Sequence, residues 1–410
     1  MKETIFLLII YYPILINAQY TGTAAVTNGL ASINIPNLYT CTNGRIPKIG
    51  SITALDSSIW TVPANVNFIN TSFPFASDLY NPCTGAVYAN DLTALSALDG
   101  SDIINVDSNG ELITAFIFAD NYFEMYINGV AVGKDNVPYT QFNSNIIRFR
   151  VNRPFTIAIL LVDWEEHLGV GCENSNGFQY HMGDGGVVAV FKDTLNKIIA
   201  KTGKNWKAQT FYTAPIVDLS CPTEIGIERR SNTCSIQDSN DGSNYYGLHW
   251  NKPINWMNAF FNDSTFPSAT IYTNESIGVN GKPAYTNFTN IFDDPSNDAQ
   301  FIWSTNLVLD NEVVVRHIVS STTESYDLEK IKKAIHIYPN PTKNEIQIAL
   351  ENTIRSDEIE SISIINLYGE KLIEIHNYSK FISIDHLSLG IYIISINWGN
   401  YQINKKLFIQ

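Results

Sequence analysis

The chain is 410 residues long, 45% hydrophobic and 16% charged, with a formal net charge of −14 at pH 7. That length and apolar content suit a folded protein with a sizeable core, not a disordered chain. Residues 331–410 carry as many basic as acidic side chains and Lys2 offsets Glu3, so the whole negative charge falls on residues 19–330. An acidic region of this kind argues against a nucleic-acid partner, which needs a basic patch for its phosphates, and is compatible with neutral glycans or calcium.

At the start, Lys2 precedes an apolar stretch over residues 5–16, and Ala18 stands before Gln19. This reads as a secretory signal peptide over residues 1–18, too short to span a bilayer. The rest of the chain holds no comparable apolar run, so the mature protein is expected to lack a transmembrane segment. Five cysteines follow: Cys41, Cys83, Cys172, Cys221 and Cys234. Their wide spacing is unlike a zinc ribbon or a CxxC redox site, and in an oxidising compartment disulfides are expected. Cys221 and Cys234 could close a polar loop and Cys41 and Cys83 could staple the N-terminal region, which leaves Cys172 unpaired.

Residues 19–319 read as a mostly β central domain. Apolar runs predict strands at 112–118, 122–127, 130–132, 146–151, 155–162, 187–191, 206–211, 301–303 and 312–318. Asn128-Gly129 is the dipeptide best suited to a type I′ hairpin turn. The run 155–162 is almost wholly apolar and so should be buried. The stretch 119–133, an acidic-polar turn, an aromatic strand, Asn-Gly and a Val-Gly exit, resembles a hairpin of galactose-binding-like jelly rolls. Those modules are appended to many glycoside hydrolases and cell-surface proteins, and the resemblance implies a jelly-roll-like β-sandwich. Residues 221–298, polar and rich in Asn and aromatics, read as an elaborated loop system.

Three places carry candidate chemistry. Asp163, Glu165, Glu166 and His167 follow the buried strand and could exchange protons or bind a metal. Consecutive residues cannot all face one point from a regular strand, however, and no HExxH arrangement is present. Asp238, Asn240 and Asp241 resemble a calcium loop in composition, although the EF-hand spacing fails. Tyr245, Tyr246, Trp250 and Trp256 lie among amides and charges, a setting in which exposed rings stack on sugar faces. Core packing accounts for such aromatics equally well.

A polar stretch over residues 320–334 suits a linker. Beyond it, strands are expected at 345–350, 361–366, 371–375, 381–385, 391–398 and 401–408, enough for a small Ig-like β-sandwich. Its landmarks are Tyr338-Pro339-Asn340-Pro341, a turn at Leu367-Tyr368-Gly369, Leu387 followed by Gly390-Ile391-Tyr392, and Lys405-Lys406 before an apolar end. Residues 335–410 thus resemble the type A C-terminal sorting domain of the type IX secretion system of Bacteroidota. The resemblance implies export through the periplasm to the outside or the outer cell surface, with the secretion machinery as partner.

The sequence therefore describes an all-β exported protein whose central domain is a non-catalytic module for a glycan or another partner. A secreted glycan-directed hydrolase using the Asp163–His167 acids and a structural adhesin are the alternatives. Calcium is the one cofactor the composition suggests.

Overall fold

In the computed structural model, the eight-residue strand Phe155–Val162 is buried along its whole length. It pairs with Tyr122–Ile127 on one side and Asp310–Val319 on the other, both antiparallel. Apolar side chains on both faces leave it no solvent side, and each Leu, Ile or Phe so buried contributes about 2 kcal/mol. The structure describes residues 20–139, 141–295, 298–320, 332–351, 356, 359–398 and 401–410. The expected signal peptide and most of the expected linker, residues 321–331, fall outside them. The chain divides into two compact units, Met1–Thr323 and Glu324–Gln410.

In the first unit, a seven-stranded sheet runs in the order Ala25–Asn28, Tyr246–His249, Lys207–Ile216, Asp310–Val319, Phe155–Val162, Tyr122–Ile127 and Val130–Lys134. A nine-stranded sheet is built around Gly186–Lys192, Glu111–Asp120 and Ser144–Val151. The two share one core. Phe123, Met125, Ile159, Leu161 and Val313 of the first sheet join Ile113, Ile117 and Val187 of the second in a single buried cluster. The strand period then sends Tyr122, Tyr126, Leu160 and Val162 the opposite way. There they form a second core with Phe68, Phe73, Trp250, Trp256 and Phe266 from the long connections. The all-β sandwich class expected from the sequence is the one observed.

The hairpin after Tyr122–Ile127 turns at Asn128 and Gly129, with φ of +51° and +86°, the two positive values that a type I′ turn requires. Its return strand ends at Lys134, which is fully buried. The Lys134 ammonium donates to the carbonyls of Asn67, Phe68 and Asn70, each at 2.8 Å, and so fixes the chain that covers this face. Beside it, the buried Glu124 accepts from Tyr122 and Tyr126 hydroxyls, both at 3.1 Å. The two pairings that the sequence left possible both form, Cys41–Cys83 and Cys221–Cys234, and Cys172 is free and buried. Burial pushes its thiol pKa up, which makes it a poor nucleophile.

Residues 221–298 are less loop-like than their composition suggests. Tyr246–His249 enters the first sheet and Thr270–Tyr272 borders the second. Short helices at Asn274–Ile277, Pro283–Thr286 and Thr289–Phe292 add Ile277, Tyr285 and Phe292 to the inter-sheet core cluster.

The second unit is a small sandwich of its own. Ile335–Tyr338, Glu345–Leu350 and Phe381–Ser383 make a three-stranded sheet. Lys371–His376, Ile359–Ile365, Gly390–Trp398 and Tyr401–Ile409 make a four-stranded one. Ile346, Ile348, Ile362, Ile394 and Leu407 fill the core between them. Asn340 ties the Tyr-Pro-Asn-Pro turn to the last strand, donating to the Lys406 carbonyl at 2.8 Å and accepting from the Phe408 amide at 2.9 Å. Lys405 donates to the Ile335 carbonyl, and Tyr392 to the Ser388 carbonyl at 2.7 Å. Gly369 takes φ of +87°, a conformation that glycine adopts without strain.

Candidate functional site

The four acidic and imidazole candidates after the buried strand point to four different surroundings. Asp163 is buried beside Asp120 and Asp184. Glu165 turns to the amides of Gly169 and Gly171 and the Tyr212 hydroxyl, all of which donate to it. Glu166 is held by Arg45 and the Asn174 amide. The His167 ring lies 4.5 Å from the Tyr180 ring. A bend after Val162 thus disperses the cluster, as a run of consecutive residues must.

What gathers instead is Asp120, Asp163 and Asp184, each at the polar end of an apolar strand. Burial raises the Asp163 pKa well above the carboxylate range, with the charges of Asp184 and Glu173 adding to it. Burial and then Asp184 and Asp163 raise Asp120 in the same sense. Asp184 is pushed up to about 6 by burial and by Glu173. Glu165 rises to about 7, again through burial, against the lowering effect of its backbone partners. Gly183 packs close against Asp163, where a Cβ would lie 3.3 Å from a carboxylate oxygen.

The oxygens of the Asp238 loop are occupied by protein donors. Asp238 meets His181 Nδ1 at 2.7 Å and the Met182 amide at 3.1 Å. Asn240 accepts from the Gln179 amide, and Asp241 from the Ser243 amide, both at 2.9 Å. The loop therefore pins the Cys172–Ser175 and Phe178–Met182 hairpin. Among the described residues, no three His, Cys, Asp or Glu side chains converge as metal ligands do.

Burial corrects the expectation of open sugar-stacking rings. Tyr245, Trp250 and Trp256 are 4%, 7% and 5% exposed, and Tyr246 is half-buried. Once Tyr246–His249 is inserted between two strands of the first sheet, its surroundings belong to the second core. Trp256 sets its edge against Tyr126 at 5.2 Å. Trp250 donates Nε1 to Glu224 at 3.1 Å, and the Arg229 guanidinium lies 4.6 Å from its ring centroid.

Those two partners of Trp250 lead to an open cavity of about 270 Å³. Its walls include Gln209 and Phe211 of the strand Lys207–Ile216, Glu224 and Arg229 of a short hairpin, and Asn251 and Phe266 from the following loops. The Cys221–Cys234 bond closes the segment that carries the hairpin. Gln209 donates to the Ile227 carbonyl at 2.9 Å and holds the hairpin to the sheet. Asn251 is exposed at the rim. Glu224 is opposed by burial, yet hydrogen bonds from Tyr20, Thr23 and Trp250 hold its pKa below the usual range. Burial pushes Arg229 down to about 10, with Glu224 opposing. Sequence reasoning missed this cavity; the one available signal was Arg229-Arg230, a basic pair in an otherwise acidic region.

Comparison with known proteins gives one firm result. Residues 336–410 match the secretion system C-terminal sorting domain family. The second unit is thus a sorting domain of the type IX secretion system, and the protein is exported to the medium or the outer cell surface. Among the described residues, no helix is long and apolar enough to cross a membrane.

No curated protein matches the chain. Similar solved structures include a β-glucuronidase of Faecalibacterium prausnitzii, at 10% identity and TM-score 0.16, covering 75% of this chain and 36% of that one. A biofilm associated protein (BSP domain) is 10% identical over 75% of this chain and 79% of its own, with TM-score 0.18. Dimeric latent PorU from Porphyromonas gingivalis is 10% identical over 94% of this chain and 34% of its own, with TM-score 0.15. The chain thus spans about a third of the first and third of these, and scores this low carry no argument about function.

Proposed function

We propose that the central unit is a non-catalytic module that binds one or two sugar residues of a glycan in the cavity beside Trp250. The observation that carries this reading is the lining. Polar Gln209, Glu224, Arg229 and Asn251 surround a small apolar floor to which the largely buried Phe211 and Phe266 contribute. Sugars present apolar C–H faces and rings of hydroxyls, and a pocket that recognises them needs both kinds of surface. The rigid backing suits binding, since the disulfide closes the hairpin segment and Gln209 ties it to the strand before any ligand arrives. Catalysis is not favoured, because the acids Asp163, Glu165 and Glu166 do not converge on a shared space. Export places such a module where polysaccharides and cell surfaces are its surroundings.

The test is a glycan array probed with the full chain from residue 19, in calcium and again in EDTA. Selective binding that weakens at least about fivefold in Asn251→Ala, about 1 kcal/mol for one lost hydrogen bond, supports the reading. A blank array in both conditions overturns it. Loss in EDTA alone would add calcium to the binding site.

A further inference from the structure

We infer that Arg229 is the anchor of this cavity and that the ligand carries an oxyanion there, a carboxylate or a sulfate ester on the sugar. This rests on the proposed role of the cavity as the binding site. The Arg229 guanidinium carbon lies 4.9 Å from the Phe211 centroid and 4.6 Å from the Trp250 centroid, over the faces of both rings. One amino group donates to the Thr210 carbonyl. The remaining N–H donors have no carboxylate within 4.0 Å among the described residues.

The nearby acids are occupied elsewhere. Glu224 takes hydrogen bonds from the Tyr20 hydroxyl, the Thr23 amide and hydroxyl, and Trp250. Glu228 is bound by Arg230. Arg316 and Lys252, the other cations close by, are paired with Asp263 and Glu312. Glu224 and Asp310 act on this guanidinium only from beyond ion-pair distance, so its desolvation is incompletely offset and its proton affinity falls. Two oxygens of a carboxylate or sulfate ester entering the cavity could pair with two guanidinium N–H donors, a fork that arginine, and not lysine, provides. The contacts with both rings and the hydrogen bond to Thr210 restrict the side chain before a ligand arrives, which reduces the entropy lost on binding.

The experiment uses an array of glucuronate, galacturonate and mannuronate oligosaccharides, each beside its carboxyl-reduced form, with sulfated and unsulfated galactans alongside. The full chain is the probe. The expected result is that an acidic form binds about tenfold to a hundredfold more tightly than its neutral twin, the loss that removal of a charge-assisted hydrogen bond gives. Arg229→Gln and Arg229→Lys should both bring the acidic form down to the neutral level. Preference for uronates, for sulfated galactans or for both then names the oxyanion.

Equal binding of acidic and reduced forms, unchanged by Arg229→Gln, overturns this inference and leaves glycan binding in place. Binding of neither form overturns both. Should the variants fail to fold, the carboxyl-reduced arm decides the matter on the unaltered protein.

Discussion

Replacing Asp184 by Asn should make the protein more stable at neutral pH and leave it almost unchanged in acid. In the folded chain, burial and the charge of Glu173 raise the Asp184 pKa from 3.8 to about 6. The native state therefore holds a proton that the unfolded chain releases, and protonation favours folding. The resulting stability is fully present below pH 3.8 and is lost as pH rises through about 6. A shift of about two units corresponds to roughly 3 kcal/mol, an upper figure that water penetration and relaxation reduce to about 1–2 kcal/mol. Asn removes the titration while keeping the size and polarity of the side chain.

Urea denaturation followed by tryptophan fluorescence, in EDTA, checks this at pH 4.0 and 7.5. The expected gain is about 1–2 kcal/mol at pH 7.5 and under about 0.5 kcal/mol at pH 4.0. An equal effect at both pH values, or destabilisation at pH 7.5, would refute the account of a carboxyl strained by its neighbours. Comparing variant with parent at each pH cancels the buried His249 and the half-buried His317. Burial lowers these to about 3 and about 4, so they work in the opposite direction over pH 4–6.5.

Three further outcomes follow from the packing. Lys134→Met leaves three carbonyls that now accept from the ammonium at 2.8 Å without a donor, and should cost at least about 3 kcal/mol in a urea titration. Gly129→Ala sets a side chain at φ +86° and a Cβ 2.6 Å from Asn258 Oδ1, so a loss of about 1–2 kcal/mol is expected in the same assay. Removing the Cys221–Cys234 bond by a paired change to serine frees a 13-residue separation and should lower stability by about 3 kcal/mol. Glycan-array binding should weaken in that variant as well, since the released hairpin forms one wall of the cavity; unchanged binding would place the ligand elsewhere.

Local chemistry made much of this protein readable from its residues alone. Tyr122–Ile127, Phe155–Val162, Phe301–Trp303 and Glu345–Leu350 begin and end where alternation and turn formers place them. The Asn128-Gly129 turn and the sorting landmarks were equally legible, because each depends on neighbours in sequence or on a short motif. What a given face of a strand meets is a different matter. Tyr246–His249 looks like a loop in an Asn-rich segment, and only its insertion beside Lys207–Ile216 places it in a sheet and Trp250 in the core. The same holds for Asp120, Asp163 and Asp184, which stand at the ends of three strands far apart in the chain and are made neighbours by the pairing of the sheets. Gln209, Arg229 and Phe266 line one cavity for that reason too. Strand propensity is a property of a few consecutive residues; burial, charge proximity and a binding space arise only when distant segments share a surface.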